Sequence, residues 1–563
     1  MKHPQQRLPR KVNIFLPSSK RLTTPTRRWT DRLLSRMGPG WRYSPARRIS
    51  QTLCLTLFCW LFFYVAWPYA AVFTETVLQD KELLPVEFFL WLDPLAALTS
   101  SVAGRQWTLA LFGMAGILLA CFLAPRAFCG YVCPLGTLID VFDWLIGRHI
   151  TRFRVKRRGA WVALKYYLLT AVLTGAACGV MLSGYVAAIP VLTRGFLFSA
   201  GRIQLGLLKG WHQAGPMPWV AYLSLLLLAA IFLLGFLGRR FWCRYVCPTG
   251  AVFSLFNLIA FGRRHVEAAC TRCGKCITVC PFDAIEPDYT TRPLDCTFCQ
   301  TCGGACPAGA IDFVVRPDRH GPAAAPRPSV ARPPLSRRGF VTAGIVGAGA
   351  ALAARLGFPA RASAATRLLR PPGSVPESEF LDLCIRCGEC YKVCPGPVLH
   401  PASLEFGLEA LWTPVVVPSH AGCHQDCNFC TQVCPTRAIR PLSLVEKRKT
   451  PIGLAVIDPK TCLSRSGQRD CQLCFDECRA AGYNAIEMRR IKLELGDIPE
   501  GVFSDAELEA MSSIEAPFVN PEACIGCGLC EYRCHTACTK QDKLLTESAI
   551  RIVPRPPEPS PDA

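Results

Sequence analysis

The chain of 563 residues holds only nine histidines, and none falls in an apolar stretch long enough to cross a membrane. A b-type haem inside a bilayer would therefore lack axial ligands. No Cys-x-x-Cys-His occurs either: Cys530-Glu-Tyr-Arg-Cys534-His535 has one residue too many for covalent haem attachment. No glycine-rich loop sits between a strand and a helix, so a nucleotide-binding fold is not expected. Acidic residues are scarce, with 41 Asp and Glu against 63 Lys and Arg, a net charge of +22. On one soluble domain that excess would suggest nucleic acid. Here Arg27, Arg28, Arg32, Arg36, Arg47 and Arg48 precede an apolar segment, which marks membrane topology and argues against a nucleic-acid partner. No independent substrate-transforming site is visible, and no residue is assigned a catalytic role.

Cysteine is abundant. Of 33 cysteines, 24 lie in four-member groups from Cys270 onward. A disulfide framework belongs to small secreted proteins, whereas Cys-x2-Cys-x2-Cys brings three thiolates around one small volume. Zinc is the stronger rival, but the run Cys-x2-Cys-x2-Cys-x3-Cys-Pro is characteristic of bacterial ferredoxins.

A hydrocarbon core about 30 Å thick takes roughly 20 apolar residues, and four segments qualify, near 50–72, 106–125, 163–183 and 217–237. The stretch 83–100 is apolar but broken by Glu87, Asp93 and two prolines, and reads as interfacial or re-entrant. Basic residues at the N-terminus and in the 148–158 loop (Arg148, Arg152, Arg154, Lys156, Arg157, Arg158) face an acidic 73–105 loop with Glu75, Asp80 and Glu82. Both ends of the four-helix unit are thus expected in the cytoplasm. The unit repeats internally: Cys129-Gly-Tyr-Val-Cys133-Pro134 matches Cys243-Arg-Tyr-Val-Cys247-Pro248. Parallel repeats place equivalent groups at equivalent depth. Further on, Ser336-Arg337-Arg338-Gly339-Phe340, a Gly/Ala-rich run and Ala362-Ser363-Ala364 form a twin-arginine export signal in an internal position.

The expected fold is an α-helical membrane domain of four transmembrane helices in two repeats, joined to α+β ferredoxin-like [4Fe-4S] domains, with a fifth helix if the signal is retained. The domains are a basic cytoplasmic segment (1–49), the membrane domain (50–262), a cytoplasmic two-cluster module (263–315), a Pro/Arg-rich linker (316–335), the twin-arginine segment (336–365), a periplasmic four-cluster domain (366–555) and a tail (556–563). The expected location is a bacterial inner membrane.

In the module the fourth cysteine of each run is expected to reach the other cluster. One cluster then uses Cys270, Cys273, Cys276 and Cys306, and the other Cys296, Cys299, Cys302 and Cys280. The second cysteine-rich domain has regular groups at Cys384, Cys387, Cys390 and Cys394 and at Cys524, Cys527, Cys530 and Cys534. Its irregular groups are Cys423, Cys427, Cys430 and Cys434, and Cys462, Cys471, Cys474 and Cys478. About six clusters are expected, but pairing in this domain is open and Cys538 competes with Cys534. The pairs Cys129/Cys133 and Cys243/Cys247 suit a thiol–disulfide exchange, a metal, another cluster, or simple packing near a helix end.

The first 315 positions, with four helices, two Cys-x3-Cys-Pro repeats and a two-cluster module, resemble the NapH/MauN membrane ferredoxins, described as the membrane component of a quinol dehydrogenase. Positions 336–552 resemble the NapG/MauM periplasmic ferredoxins. The resemblance implies a fusion of both, passing electrons between quinol in the membrane and a periplasmic redox enzyme or cytochrome. Relatives that share the membrane core regulate nitrous-oxide reduction or handle copper, so an assembly, maturation or regulatory iron–sulfur protein is the alternative.

Overall fold

The computed structural model describes residues 39–65, 84–147, 149–150, 160–211, 217–315, 335–356, 368–492 and 513–555. Outside the described residues lie Arg27, Arg28, Arg32 and Arg36, the acidic Glu75, Asp80 and Glu82, the 151–158 basic loop, most of the linker, Ala362-Ser363-Ala364 and the tail.

The principal helices are α1 (Pro45–Tyr64), α2 (Pro94–Ala103), α3 (Ala110–Leu123), α4 (Pro134–Phe142), α5 (Leu164–Ala177), α6 (Ala188–Phe196), α7 (Trp219–Leu233), α8 (Pro248–Phe256) and α9 (Arg337–Arg355). Proline opens α1, α2, α4 and α8, where a missing N–H costs nothing. Ser336 caps α9 by accepting from the Gly339 amide. Among the described residues, α7 with its extension to Phe236 is the one helix long and apolar enough to cross a membrane. The other expected spans differ. α3 and α5 have 14 residues each, about 21 Å at 1.5 Å per residue. Proline sets one limit: Ala124 is extended before Pro125, which stops α3. α1 has 20 residues but carries Arg47 and Arg48 in its first turn.

The stretch expected as re-entrant contains a short helix, Phe88–Trp91, and then α2, whose Leu95, Ala96 and Ala97 are buried. Asp93 joins the two repeats. Its Oδ1 accepts from the Leu95 and Ala96 amides that open α2, and its Oδ2 accepts from the Ile189 amide that opens α6. The Thr249 hydroxyl of α8 donates to Oδ1 at 3.2 Å.

The helices alternate in direction between two cysteine-rich units. At one end is 262–315, with β1 (Gly262–Val266) paired antiparallel to β2 (Ile311–Val315). It meets the start of α1 through Ser44 and Thr301, the end of α3 through the Phe261 amide and Phe122 carbonyl, the start of α5 through Lys165 and Asp295, and the chain after α7 through Arg239 and Thr278. At the other end is the domain beyond residue 368. It meets the end of α1 through Lys392 and the Phe62 carbonyl, the chain before α3 through Gln106 and Glu379, and the start of α7 through Trp412 and the Val220 carbonyl. α9 lies alongside α5 and parallel to it, with Ser336 near Tyr167 and Arg355 on the Gly179 carbonyl. Gly347 permits that approach, since a Cβ there would come within 2.8 Å of Ala171 Cα.

The second domain contains three two-stranded antiparallel ladders: β3 (Leu399–Pro401) with β4 (Pro414–Val416), β5 (Leu454–Ile457) with β8 (Ile550–Val553), and β6 (Ile486–Lys492) with β7 (Ser513–Val519). A bridge between Ser374 and Ile439 closes its first half.

Candidate functional site

Each regular Cys-x2-Cys-x2-Cys loop reverses its backbone on both sides of the middle cysteine. The positive φ pairs are Arg272 and Gly274 around Cys273, Phe298 and Gln300 around Cys299, Arg386 and Gly388 around Cys387, and Gly526 and Gly528 around Cys527. Left-handed conformations turn successive amides to one side, a concave arrangement suited to anionic sulfur. A short helix follows each loop and carries the third cysteine: Cys276, Cys302, Cys390 or Cys530. Neither irregular group has such a pair, because its spacing differs.

In the 262–315 module, Cys280, Cys296, Cys299 and Cys302 surround one cavity, with Phe282 and Phe313 on its walls. This is the expected crossed set. Cys276 and Cys306 pack in the same apolar cluster, and Cys270 lies close enough to Cys276 to act on its thiol electrostatically. Burial pushes the Cys296 thiol up to about 12. Burial acts the same way on Cys299, but Arg47 and Thr301 outweigh it and hold that thiol below its ordinary value.

In the second domain the structure brings together sets that the spacing left open. Cys384, Cys387 and Cys390 meet Cys434, which acts on both Cys387 and Cys390. Cys423, Cys427 and Cys430 meet Cys394. The fourth cysteines thus cross over here as in the module. Cys524, Cys527 and Cys530 share a cavity with Cys478. A second cavity is lined by Cys462, Cys471, Cys474, Cys534 and also Cys538. Cys538 arrives through the wide turn His535–Gln541, which prolongs the helix where a proline would have ended it. Neighbouring sets touch, since the Cys423 amide donates to the Cys527 carbonyl at 2.7 Å. Burial drives the Cys390, Cys430 and Cys530 thiols well above their ordinary value, and a bound cation is what makes such thiols ligating thiolates. Among the described residues no group of three or more His, Cys, Asp or Glu side chains is arranged for a single metal ion.

The Cys-x3-Cys-Pro cysteines also come together. Cys129, Cys133, Cys243 and Cys247 line one cavity between the repeats, with Phe128, Ala188 and Trp242. The structure further reveals arginines that the sequence does not single out. Arg386, beside Cys387, is fully buried and donates to the carbonyls of Met181 and Glu409 at 2.6 and 2.7 Å. Arg194 of α6 donates to the carbonyls of Gly184 and Arg386 and lies 3.8 Å from the Trp412 ring centroid. The Thr193 hydroxyl donates to the Cys387 carbonyl at 3.1 Å. The first cysteine loop of the second domain is therefore docked onto α6. The one sequence signal for Arg386 is its place inside a ligand loop.

A family described as 4Fe-4S binding domain matches residues 106–152 and 220–267, and a second of the same description matches 264–286. Methylamine utilization ferredoxin-type protein MauM of Methylophilus methylotrophus is 35% identical over 206 residues, 35% of this chain and 74% of the relative. Ferredoxin-type protein NapG of Escherichia coli is 31% identical over 233 residues, 40% of this chain and 88% of the relative. Methylamine utilization ferredoxin-type protein MauN of Paracoccus denitrificans is 32% identical over 200 residues, 34% of this chain and 60% of the relative. No solved structure matches. With iron–sulfur binding domains and cysteine sets gathered around shared cavities, the chain belongs to the MauM/NapG family of ferredoxin-type, iron–sulfur electron-transfer proteins.

Proposed function

We propose that this chain fuses a NapH/MauN-type membrane ferredoxin to a NapG/MauM-type exported ferredoxin and passes electrons between membrane quinol and a periplasmic redox enzyme or cytochrome. The observation that carries the reading is the helical layer between the two cysteine-rich units. Its outer faces expose Leu53, Leu57 and Trp60 on α1, Phe112 and Leu119 on α3, Leu226 and Leu233 on α7, and Ile345 and Val346 on α9. An apolar surface of that extent suits lipid, and short or tilted helices are accommodated by local thinning of the bilayer. With one unit at each end of this layer, the module lies in the cytoplasm and the second domain in the periplasm. α9 is the twin-arginine segment retained as a fifth helix.

Six sets hold [4Fe-4S] clusters: the two of the module, Cys384/Cys387/Cys390/Cys434, Cys423/Cys427/Cys430/Cys394, Cys524/Cys527/Cys530/Cys478, and Cys462/Cys471/Cys474 with Cys534. Bound clusters supply one-electron redox centres. The chain's own residues exclude water and aim amides at the sulfur ligands, and the crossed cysteines tie neighbouring sets together. Two measurements test this. A reporter fused after residue 552 is expected in the periplasm, and to stay in the cytoplasm once Arg337 and Arg338 are both changed to Lys. Quinol analogues are expected to reduce the exported clusters of the protein in liposomes. A cytoplasmic reporter on the unmodified chain, or reduction only after another subunit is added, overturns the reading.

A further inference from the structure

Where the second domain docks on the helical layer, the contact is made by a fully buried cation. Arg194 of α6 is 0% exposed. Its Nη1 donates to the carbonyls of Gly184 and Arg386 at 3.0 and 2.9 Å, and its Nε to the Ser224 hydroxyl at 3.2 Å. Its Nη2 meets no acceptor among the described residues. Other buried cations of the layer are paired, Arg47 and Arg240 with Asp140 and Lys165 with Asp295. Among the described residues no carboxylate lies within ion-pair distance of Arg194. The nearby carboxylates are engaged elsewhere: Glu409 acts on Arg386, and Glu389 on Cys387.

Aromatic rings close the site to water. The Trp412 ring centroid lies 3.8 Å from the Arg194 guanidinium carbon, the Tyr185 ring 5.6 Å from that of Trp412, and the Tyr391 hydroxyl donates to the Trp412 carbonyl. The face of Trp412 offsets part of the charge. Docking alone needs donors and no charge, since a neutral amide could serve the same carbonyls, whereas a desolvated guanidinium without an anion is costly. The anion arrives when the neighbouring cysteine set is filled. Arg194 holds the carbonyl of the residue before Cys387, Thr193 holds that of Cys387 itself at 3.1 Å, and Tyr391 and Cys387 are among the groups that act most strongly on the Arg194 charge. A [4Fe-4S] core on four thiolates is doubly negative when oxidised, and its reduction adds one electron with no bond formed or broken. In a medium of low dielectric, a fixed cation stabilises the reduced form more than the oxidised one.

We propose that Arg194 is the counter-cation of the Cys384/Cys387/Cys390/Cys434 cluster and raises its potential, so that the set docked on the helical layer is the first acceptor of electrons from quinol. This rests on the cluster and quinol reading above and deepens it. Each quinol gives its two electrons in two such steps and releases its two protons to water. From this set the crossed ligands Cys434 and Cys394 lead to the Cys423 set, and the contact between Cys423 and Cys527 leads on to the next.

The test uses the full-length protein in liposomes, prepared without oxygen, and redox titrations followed by electron paramagnetic resonance. Cys387→Ser, which changes a ligand, marks the signal that belongs to this set. In Arg194→Gln the ratio of reduced to oxidised cluster at the unmodified midpoint is expected to fall at least tenfold for that signal alone, a shift of about 59 mV or more for one electron. Ser224→Asp keeps Arg194 and sets a carboxylate against its Nε, and is expected to lower the same potential. Ser224→Asn, close in size but uncharged, and Arg194→Lys, which keeps the charge, are expected to stay within about threefold of the unmodified ratio. A ratio within about threefold in Ser224→Asp, or a fall as large in Ser224→Asn, overturns the proposal, and this pair decides even if Arg194→Gln loses the cluster. Loss of the set's iron from Ser224→Asn overturns it as well, because the contact is then structural. Absence of the signal from the unmodified chain overturns the cluster reading and the proposal with it. Lowered potentials in Arg194→Gln and Ser224→Asp, without reduction of the unmodified protein by quinol analogues, support the counter-cation and overturn quinol as the donor.

Discussion

Replacing Asp140 by Asn removes the carboxylate that ties the start of α1 and the second repeat to the first Cys-x3-Cys-Pro segment. Asp140 accepts from Arg240 at 2.7 Å through both oxygens, from Arg47 at 3.2 Å and from Arg48 at 2.5 Å. Arg47 and Arg240 have side chains 1% and 0% exposed, so neither can turn to water once the carboxylate is gone. Arg47 also donates to the Gly130 carbonyl, and Arg240 to those of Cys129 and Gly136. The substitution therefore loosens α1, the first Cys-x3-Cys-Pro segment and the second repeat together. Removing one partner of a buried pair costs about 3–5 kcal/mol, which raises the population of the opened segment by roughly two to three and a half orders of magnitude at about 1.4 kcal/mol per tenfold. The chain has several cooperative units, so a single melting temperature is a poor measure. Amide hydrogen exchange reports local opening directly. Peptides within 128–142 are expected to exchange at least ten times faster in Asp140→Asn, with peptides in 454–553 unchanged, and Arg240→Gln in the same chain is expected to restore part of the protection. Exchange within about threefold of the unmodified protein would refute the view that this carboxylate organises the repeats.

Two further outcomes are expected in the second domain. Burial, and then His420 with its ring 4.6 Å away, lowers His400 from 6.5 to about 4. Between those values the unfolded chain takes up a proton that the folded chain refuses, so stability present above pH 6.5 is lost as the pH falls toward 4, by about 3 kcal/mol at 1.36 kcal/mol per unit. Denaturant titrations at pH 7 and pH 4.5 measure it, and His400→Gln is expected to flatten the difference; an equal slope in both proteins contradicts the assignment. Five thiols line the Cys462/Cys471/Cys474 cavity, one more than a cluster needs. Cys534→Ser and Cys538→Ser are each expected to keep the iron, and the double variant to lose about four iron atoms. Loss from Cys538→Ser alone would make Cys538 the obligatory ligand.

The local chemistry of the ligand loops was legible from the residues. A Cys-x2-Cys-x2-Cys run closes over a few residues, so its spacing determines both the loop and its ligand type, and the crossed fourth cysteine in the module follows from a short, symmetric repeat. The existence of the apolar helices was legible too, because composition alone marks them. Their lengths were not: α3 stops at 14 residues before Pro125, and α5 at 14 residues before the turn at Cys178 and Gly179, whose φ is positive. Only the tertiary structure decided which remote cysteine joins each set of the second domain, that Cys538 enters beside Cys534, and that the first loop of that domain docks on α6 through Arg194 and Arg386. The same holds for Cys129 and Cys243, more than a hundred residues apart, which share a cavity because each repeat supplies half of it. Spacing controls what neighbours in the chain can do together; which distant thiols share a volume depends on how whole helices pack, and no short motif encodes that.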